Sequence, residues 1–160
     1  MNKLNVFAVP CKGYDQETNS IMGIYNQVEI ENNRMDLCVF TGINYVGSNE
    51  EANFDLDYYL RCIKDEDGTG QDGKRIALYA MSGKNRLEKQ YLQYGAYTGI
   101  LSHETNISIP CSGLYELQVF LTKEEYLKNE NPKKRYERYK ENKELPQAAI
   151  RFKIKKVPVA

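Results

Sequence analysis

The stretch Lys133-Lys134-Arg135-Tyr136-Glu137-Arg138-Tyr139-Lys140 holds the side chains best suited to chemistry in this chain. Five of its eight residues are cationic and two are tyrosines. Cations of this kind meet phosphates, and interleaved rings stack on bases. At helical spacing Tyr136, Tyr139 and Lys143 fall near one face. Glu137, Glu141 and Glu144 dilute the positive field, and Glu137 can pair with Lys133 or Lys134 along a helix. Three readings stay open: a surface helix docking its two tyrosines on the fold, a contact surface for a protein, or a nucleic-acid contact. The candidate binding residues are Lys133, Lys134, Arg135, Tyr136, Arg138, Tyr139 and Lys140.

Other constellations carry less. His103 is the only histidine, in the polar run Ser102-His103-Glu104. Triad members converge in space and are seldom sequence neighbours on one loop. There is no G-x-S-x-G elbow, Walker A or G-x-G-x-x-G spelling, so no catalytic residue is assigned. Asp65-x-Asp67-x-Thr69-Gly70 resembles the first half of a calcium loop, but the twelfth position is Ile76 rather than a bidentate acid. Asp65, Glu66, Asp67 and Asp72 form either a solvated hairpin loop or an end-of-sandwich calcium site. Cys11, Cys38, Cys62 and Cys111 form no C-x-x-C pair, which zinc sites favour. They read as buried or half-buried small hydrophobes. No metal and no cofactor is expected.

These residues need a scaffold, and the length of 160 residues suits one domain, 1–160. Formal net charge is zero, which exerts no overall pull toward nucleic acid or anionic membrane. The zero conceals a split: residues 1–122 carry 10 Lys+Arg and 16 Asp+Glu, and residues 123–160 carry 12 and 6. The simplest account is that the two parts neutralise each other within one fold. Val6 to Val9 is too short for a signal-peptide core, and no apolar run approaches the roughly 18 residues of a membrane span. A cytoplasmic location without membrane contact is expected.

The scaffold reads as strands. Phe54, Leu56, Tyr58, Leu60 and Cys62 alternate with Asp55, Asp57, Tyr59 and Arg61, which gives one core face and one face toward water. Tyr115, Leu117, Val119 and Leu121 alternate with Glu116, Gln118 and Thr122. Gly113-x-Tyr115 opens this strand, as at the corner of two-sheet sandwiches. Leu4–Val9 and Ser20–Glu31 read as a hairpin, the second strand placing Met22, Ile24, Val28 and Ile30 on one face. Asn32-Asn33 is a tight turn. Met35–Val46, Arg75–Met81, Asn106–Pro110 and Gln147–Lys156 are further strands. Residues 82–104 are left open between loop and short helix. Residues 123–145 break the pattern as a charged helical insertion. Lys123–Asn129 is a short helix behind a capping-box spelling. A second follows Asn131-Pro132, with Asn as cap and Pro at the first helical position.

About eight strands at short spacing favour a mainly β fold, a two-sheet antiparallel β-sandwich with a short helical insertion before the last strand. Val6-Phe-Ala-Val-Pro-Cys11, the turn Asp15–Asn19, Ser20-Ile-Met-Gly-Ile-Tyr-Asn-Gln-Val28, Gly113-Leu-Tyr115 and the closing strand Ala148–Val157 resemble a family of bacterial single-domain proteins. That resemblance implies an immunoglobulin-like or C2-like sandwich, and it brings no activity and no site residues. The expected function is non-enzymatic binding, with another protein or a second copy as partner. The alternative is nucleic-acid binding through 133–143.

Overall fold

The computed structural model describes residues 3–18, 20–46, 52–87, 98–122 and 131–158. Among these the chain order is β1 (Lys3–Cys11), β2 (Gly13–Asp15), β3 (Ser20–Met22), β4 (Gln27–Ile30), β5 (Arg34–Val46), β6 (Ala52–Asp65), β7 (Arg75–Leu87), β8 (Thr98–Ser108), β9 (Gly113–Leu121), α1 (Pro132–Glu141) and β10 (Ala148–Lys156). One sheet runs β1-β5-β8, a second runs β4-β10-β9-β6-β7, and β2-β3 form a small ribbon. The fold is therefore a mainly β sandwich with one short helix before the last strand. Among the described residues all pairings are antiparallel except β4 with β10. No helix among the described residues is long and apolar enough to cross a membrane.

The core lies between the two large sheets. Leu37, Val39 and Ile43 of β5 meet Leu56, Tyr58 and Leu60 of β6 and Tyr115, Leu117 and Val119 of β9, with Phe152 and Ile154 of β10. Strand alternation alone selects these faces. A polar link across the core joins the Thr41 hydroxyl and the Tyr58 hydroxyl, 2.6 Å apart. A buried tyrosine keeps such a partner because an unpaired hydroxyl is costly. The Gly113-x-Tyr115 corner is present: the Tyr115 hydroxyl donates to the Cys111 carbonyl at 2.7 Å, as in immunoglobulin-type sandwiches.

Two expectations are corrected. Ser20–Glu31 is not one strand. Gly23 takes a left-handed φ of +63°, which breaks the pleat, and Met22 and Ile24 are 51% and 58% exposed. Nor does β1 pair with its sequence neighbour: it pairs with β5 over its whole length, while β4 lies parallel to β10. Period-2 patterning selects a strand's faces, not its partner. The Asn32-Asn33 turn does form, with φ of 58° and 57° and the Arg34 N–H donating to the Glu31 carbonyl. It carries the chain from one sheet to the other.

All four cysteines are buried free thiols. They lie as two pairs, Cys11 with Cys38 at 3.6 Å and Cys62 with Cys111 at 3.8 Å. Burial pushes Cys38 and Cys62 up to about 12, so both are protonated at neutral pH.

Candidate functional site

Helix α1 begins as its sequence dictates. Asn131 caps it, its side chain accepting from the Lys134 N–H at 3.0 Å, and Pro132 stands at the first position. The helix then lies on the outer face of the five-stranded sheet, the face on which Asp57 and Tyr59 were expected to meet water. Both are fully buried. The expectation fails because a segment far along the chain covers them.

The contact is built around one carboxylate. Arg135 Nε donates to Asp57 Oδ2 at 2.7 Å and Arg135 Nη2 to Oδ1 at 2.8 Å. The Tyr139 and Thr122 hydroxyls donate to Oδ2 at 2.7 and 3.0 Å. Hydrogen bonding to Asp57 holds Arg135 above its ordinary range against the opposing effect of burial. Around this pair Phe120 stacks on Tyr139 with centroids 4.6 Å apart. Tyr59 meets Phe120, Tyr136 and Tyr139 edge-on, and its hydroxyl donates to the Pro132 carbonyl at 2.7 Å. Such ring pairs contribute about 0.5–1.5 kcal/mol each beyond area burial.

The seven candidate residues thus divide. Arg135 and Tyr139 are turned into the fold and engaged by Asp57. Lys133, Lys134, Arg138 and Lys140 are exposed, and Tyr136 is half-buried. Tyr136 and Lys140 form one wall of a groove of about 560 Å³. Its floor is Arg61 and Arg75, which the sequence reading did not single out. Tyr136 and Arg75 also border an adjoining cleft with Lys133 and Glu104.

Arg61 and Arg75 face each other directly across β6 and β7. Like charges so placed repel. Arg61's other cross-strand neighbour is Glu116, whose two oxygens accept from Gln118 at 2.6 Å and Arg151 at 3.0 Å. Arg75 lies over the Phe120 ring at 5.4 Å, and its buried Nε–H has no hydrogen-bond partner among the described residues. Burial first, then the neighbouring Arg61, lowers the Arg75 guanidinium from its ordinary range; arginine nonetheless stays charged.

Among the described residues, three ion pairs link the two oppositely charged parts of the chain. Arg135 pairs with Asp57, Arg151 with Glu116, and Lys153 with Glu66. Each pair joins a carboxylate before residue 123 to a cation after it.

In the Asp65–Asp72 loop all four carboxylates are in use. Asp65 accepts from the N–H groups of Asp67, Thr69 and Gln71 and from the Thr69 hydroxyl. Asp72 accepts from the Asp65 N–H and Asp67 from the Ser112 N–H, while Glu66 pairs with Lys153. The arrangement is a self-capped turn, and among the described residues no three His, Cys, Asp or Glu gather to hold a metal. Desolvation raises the Asp65 carboxyl, but these hydrogen bonds, led by the Gln71 N–H, outweigh it and hold Asp65 well below the usual carboxylate range. A folded-state value below the unfolded one, about 3.9, contributes stability above that pH and loses it as pH falls through the carboxylate range. Asp65→Ala is therefore expected to flatten the acid limb of urea midpoint against pH, below about pH 4; parallel profiles for variant and parent would exclude this.

His103 Nε2 lies 3.8 Å from Cys38 Sγ across β5 and β8. With that thiol held protonated by burial, the contact is a weak sulfur interaction rather than an activated nucleophile, which needs a thiolate. The 65-residue separation hid it from sequence reading. Lys123–Asn129 falls outside the described residues, as does the stretch 88–97 of the segment left open between loop and helix.

No family model matches the chain, and no curated protein matches it. Among solved structures it is similar to a β-glucosidase from Listeria innocua in complex with isofagomine. The TM-score is 0.53 at 9% identity, over 100% of this chain and 17% of that one. A β-glucosidase from Kluyveromyces marxianus in complex with glucose gives 0.51 at 6% identity, over 96% and 14%. The chain spans less than a fifth of either protein, and at these identities the likeness concerns the fold alone.

Proposed function

We propose that this chain is a non-enzymatic binding module whose partner is another protein or a second copy of itself. The observation that carries the reading is an apolar patch on the outer face of the three-stranded sheet. Phe7, 40% exposed, packs at 6.1 Å from Phe40. Phe40 in turn borders a hollow with Tyr14, Ile21 and Leu101. Phe7 and Tyr14 are exposed and Phe40, Ile21 and Leu101 half-buried, and apolar surface gathered in this way favours a protein contact over a phosphate contact. The alternative, nucleic-acid binding through 133–143, keeps Lys133, Lys134, Arg138 and Lys140 but loses Arg135 and Tyr139 to Asp57.

The test is an affinity capture from lysate of the native host, with and without nuclease treatment. The baits are the parent chain, Tyr14→Ser/Ile21→Ser and Lys133→Glu/Lys140→Glu. A protein that survives nuclease and is lost with the Tyr14/Ile21 variant supports the reading. Nucleic acid recovered without nuclease, and lost with the lysine variant, sinks it. A phosphate-driven complex should also weaken steeply with salt.

A further inference from the structure

We infer that the groove between α1 and the β6–β7 ribbon is a second binding site, independent of the apolar patch, that takes an acidic side chain of a peptide between Arg61 and Arg75. Across the outer face of the five-stranded sheet, Arg151, Glu116, Arg61 and Arg75 stand in one row, each opposite the next. That row holds three guanidinium groups and one carboxylate. The carboxylate is occupied by Gln118 and Arg151. Among the described residues, neither Arg61 nor Arg75 forms an ion pair. Two like charges face each other at a cost. A carboxylate seated between them relieves that repulsion, since charge-assisted, forked hydrogen bonds from guanidinium groups are the strong ones.

The surroundings define the occupant. Lys74 and Lys140 on the groove walls add positive charge, and Asp72 and Glu137 oppose it. Asp72 is engaged by the Asp65 N–H. A polyanion laid along the groove would meet Glu137 and then Glu104 in the adjoining cleft. A single acidic side chain on an otherwise neutral strand avoids both. Tyr136, half-buried at the junction of the two hollows, offers a ring for the residue next to that acid. The groove also lies beside β7, which pairs on one side only among the described residues. An edge strand of this kind accepts an added peptide strand.

The experiment is an NMR titration of the intact chain with the blocked tetrapeptide Ac-Thr-Glu-Val-Tyr-NH2, its Glu→Gln counterpart and oligothymidylate. The side-chain Nε–Hε signals of Arg61 and Arg75 serve as reporters. The Glu peptide is expected to shift both signals saturably and the Gln peptide to leave them in place. Arg75→Gln should weaken binding about tenfold or more, the effect of losing a hydrogen bond to a charged group. Lys134→Gln, outside the groove, should not change it. Should Arg75→Gln fail to fold, Arg61→Gln carries the same comparison. Equal shifts with the Gln peptide, or affinity unchanged in the arginine variants, overturns the inference. Oligothymidylate saturating the same signals more tightly overturns it too and gives the groove to nucleic acid. None of these outcomes touches the patch, which the Tyr14/Ile21 variant tests separately.

Discussion

Asp57→Ala is expected to cost about 3–5 kcal/mol, the range for removing one partner of a buried ion pair. The variant removes the carboxylate that pairs with Arg135, a residue only 6% exposed, and that accepts from the Tyr139 and Thr122 hydroxyls. The chain's escape is to undock α1, which exposes Tyr139 and Tyr59 and forfeits the ring contacts around Phe120. Urea unfolding reads the loss as a shift in midpoint, and amide exchange along α1 separates undocking from global unfolding. Arg135→Met should be costly for the mirror-image reason, because it removes the cation paired with a buried carboxylate and leaves that charge to the Tyr139 and Thr122 hydroxyls. The double variant Asp57→Leu/Arg135→Met should recover much of the loss, since replacing both partners by apolar groups is often close to neutral. A loss below about 1 kcal/mol for Asp57→Ala, the level of an exposed pair, would show that the pair is not what holds the helix.

Gly113→Ala is expected to cost about 1–3 kcal/mol, the usual range for overpacking. A Cβ at this position would collide with the Lys64 carbonyl, which is backbone and cannot rotate away. The site is a register irregularity between Cys62 and Lys64, where β6 and β9 already depart from regular pairing. The Tyr115 corner follows two residues later, so a shift here also disturbs the bond to the Cys111 carbonyl. For a domain of this size that loss lowers the melting temperature by roughly 2–4 °C per kcal/mol. Gly13→Ala is the control: nothing lies within 4 Å of the added atom, and a change within about 0.5 kcal/mol is expected. Equal melting temperatures for the two variants would mean that the β6–β9 irregularity relaxes freely.

Together the two sites show how the candidate surface is made. The sandwich supplies a flat outer face, Gly113 and the Tyr115 corner hold β9 against β6, and Asp57 fixes α1 across that face. Tyr136 and Lys140 then stand beside Arg61 and Arg75 because the helix has been set down in one register. A looser helix would have no groove.

Much of this was legible residue by residue. Alternation along Leu56–Cys62 and Tyr115–Leu121 determines which side chains enter the core, since the side-chain period of a strand is local. Asn131-Pro132 determines where α1 starts, because cap and ring act on the backbone next to them. Gly113-x-Tyr115 marks the corner for the same kind of reason. What tertiary structure alone decided is which surfaces meet. Asp57 sits on the polar side of an alternating strand and so reads as a solvent-facing carboxylate. It is buried only because Arg135, 78 residues later, lands on it. Arg135 and Tyr139 look like phosphate and base contacts for as long as Asp57 is out of view. The hairpin loop after Arg61 brings Arg75 back toward it, but which residue stands opposite Arg61 depends on where that loop closes. Pairing between distant segments is set by the total of buried area, register and charge over the whole molecule, and no window of sequence contains that sum.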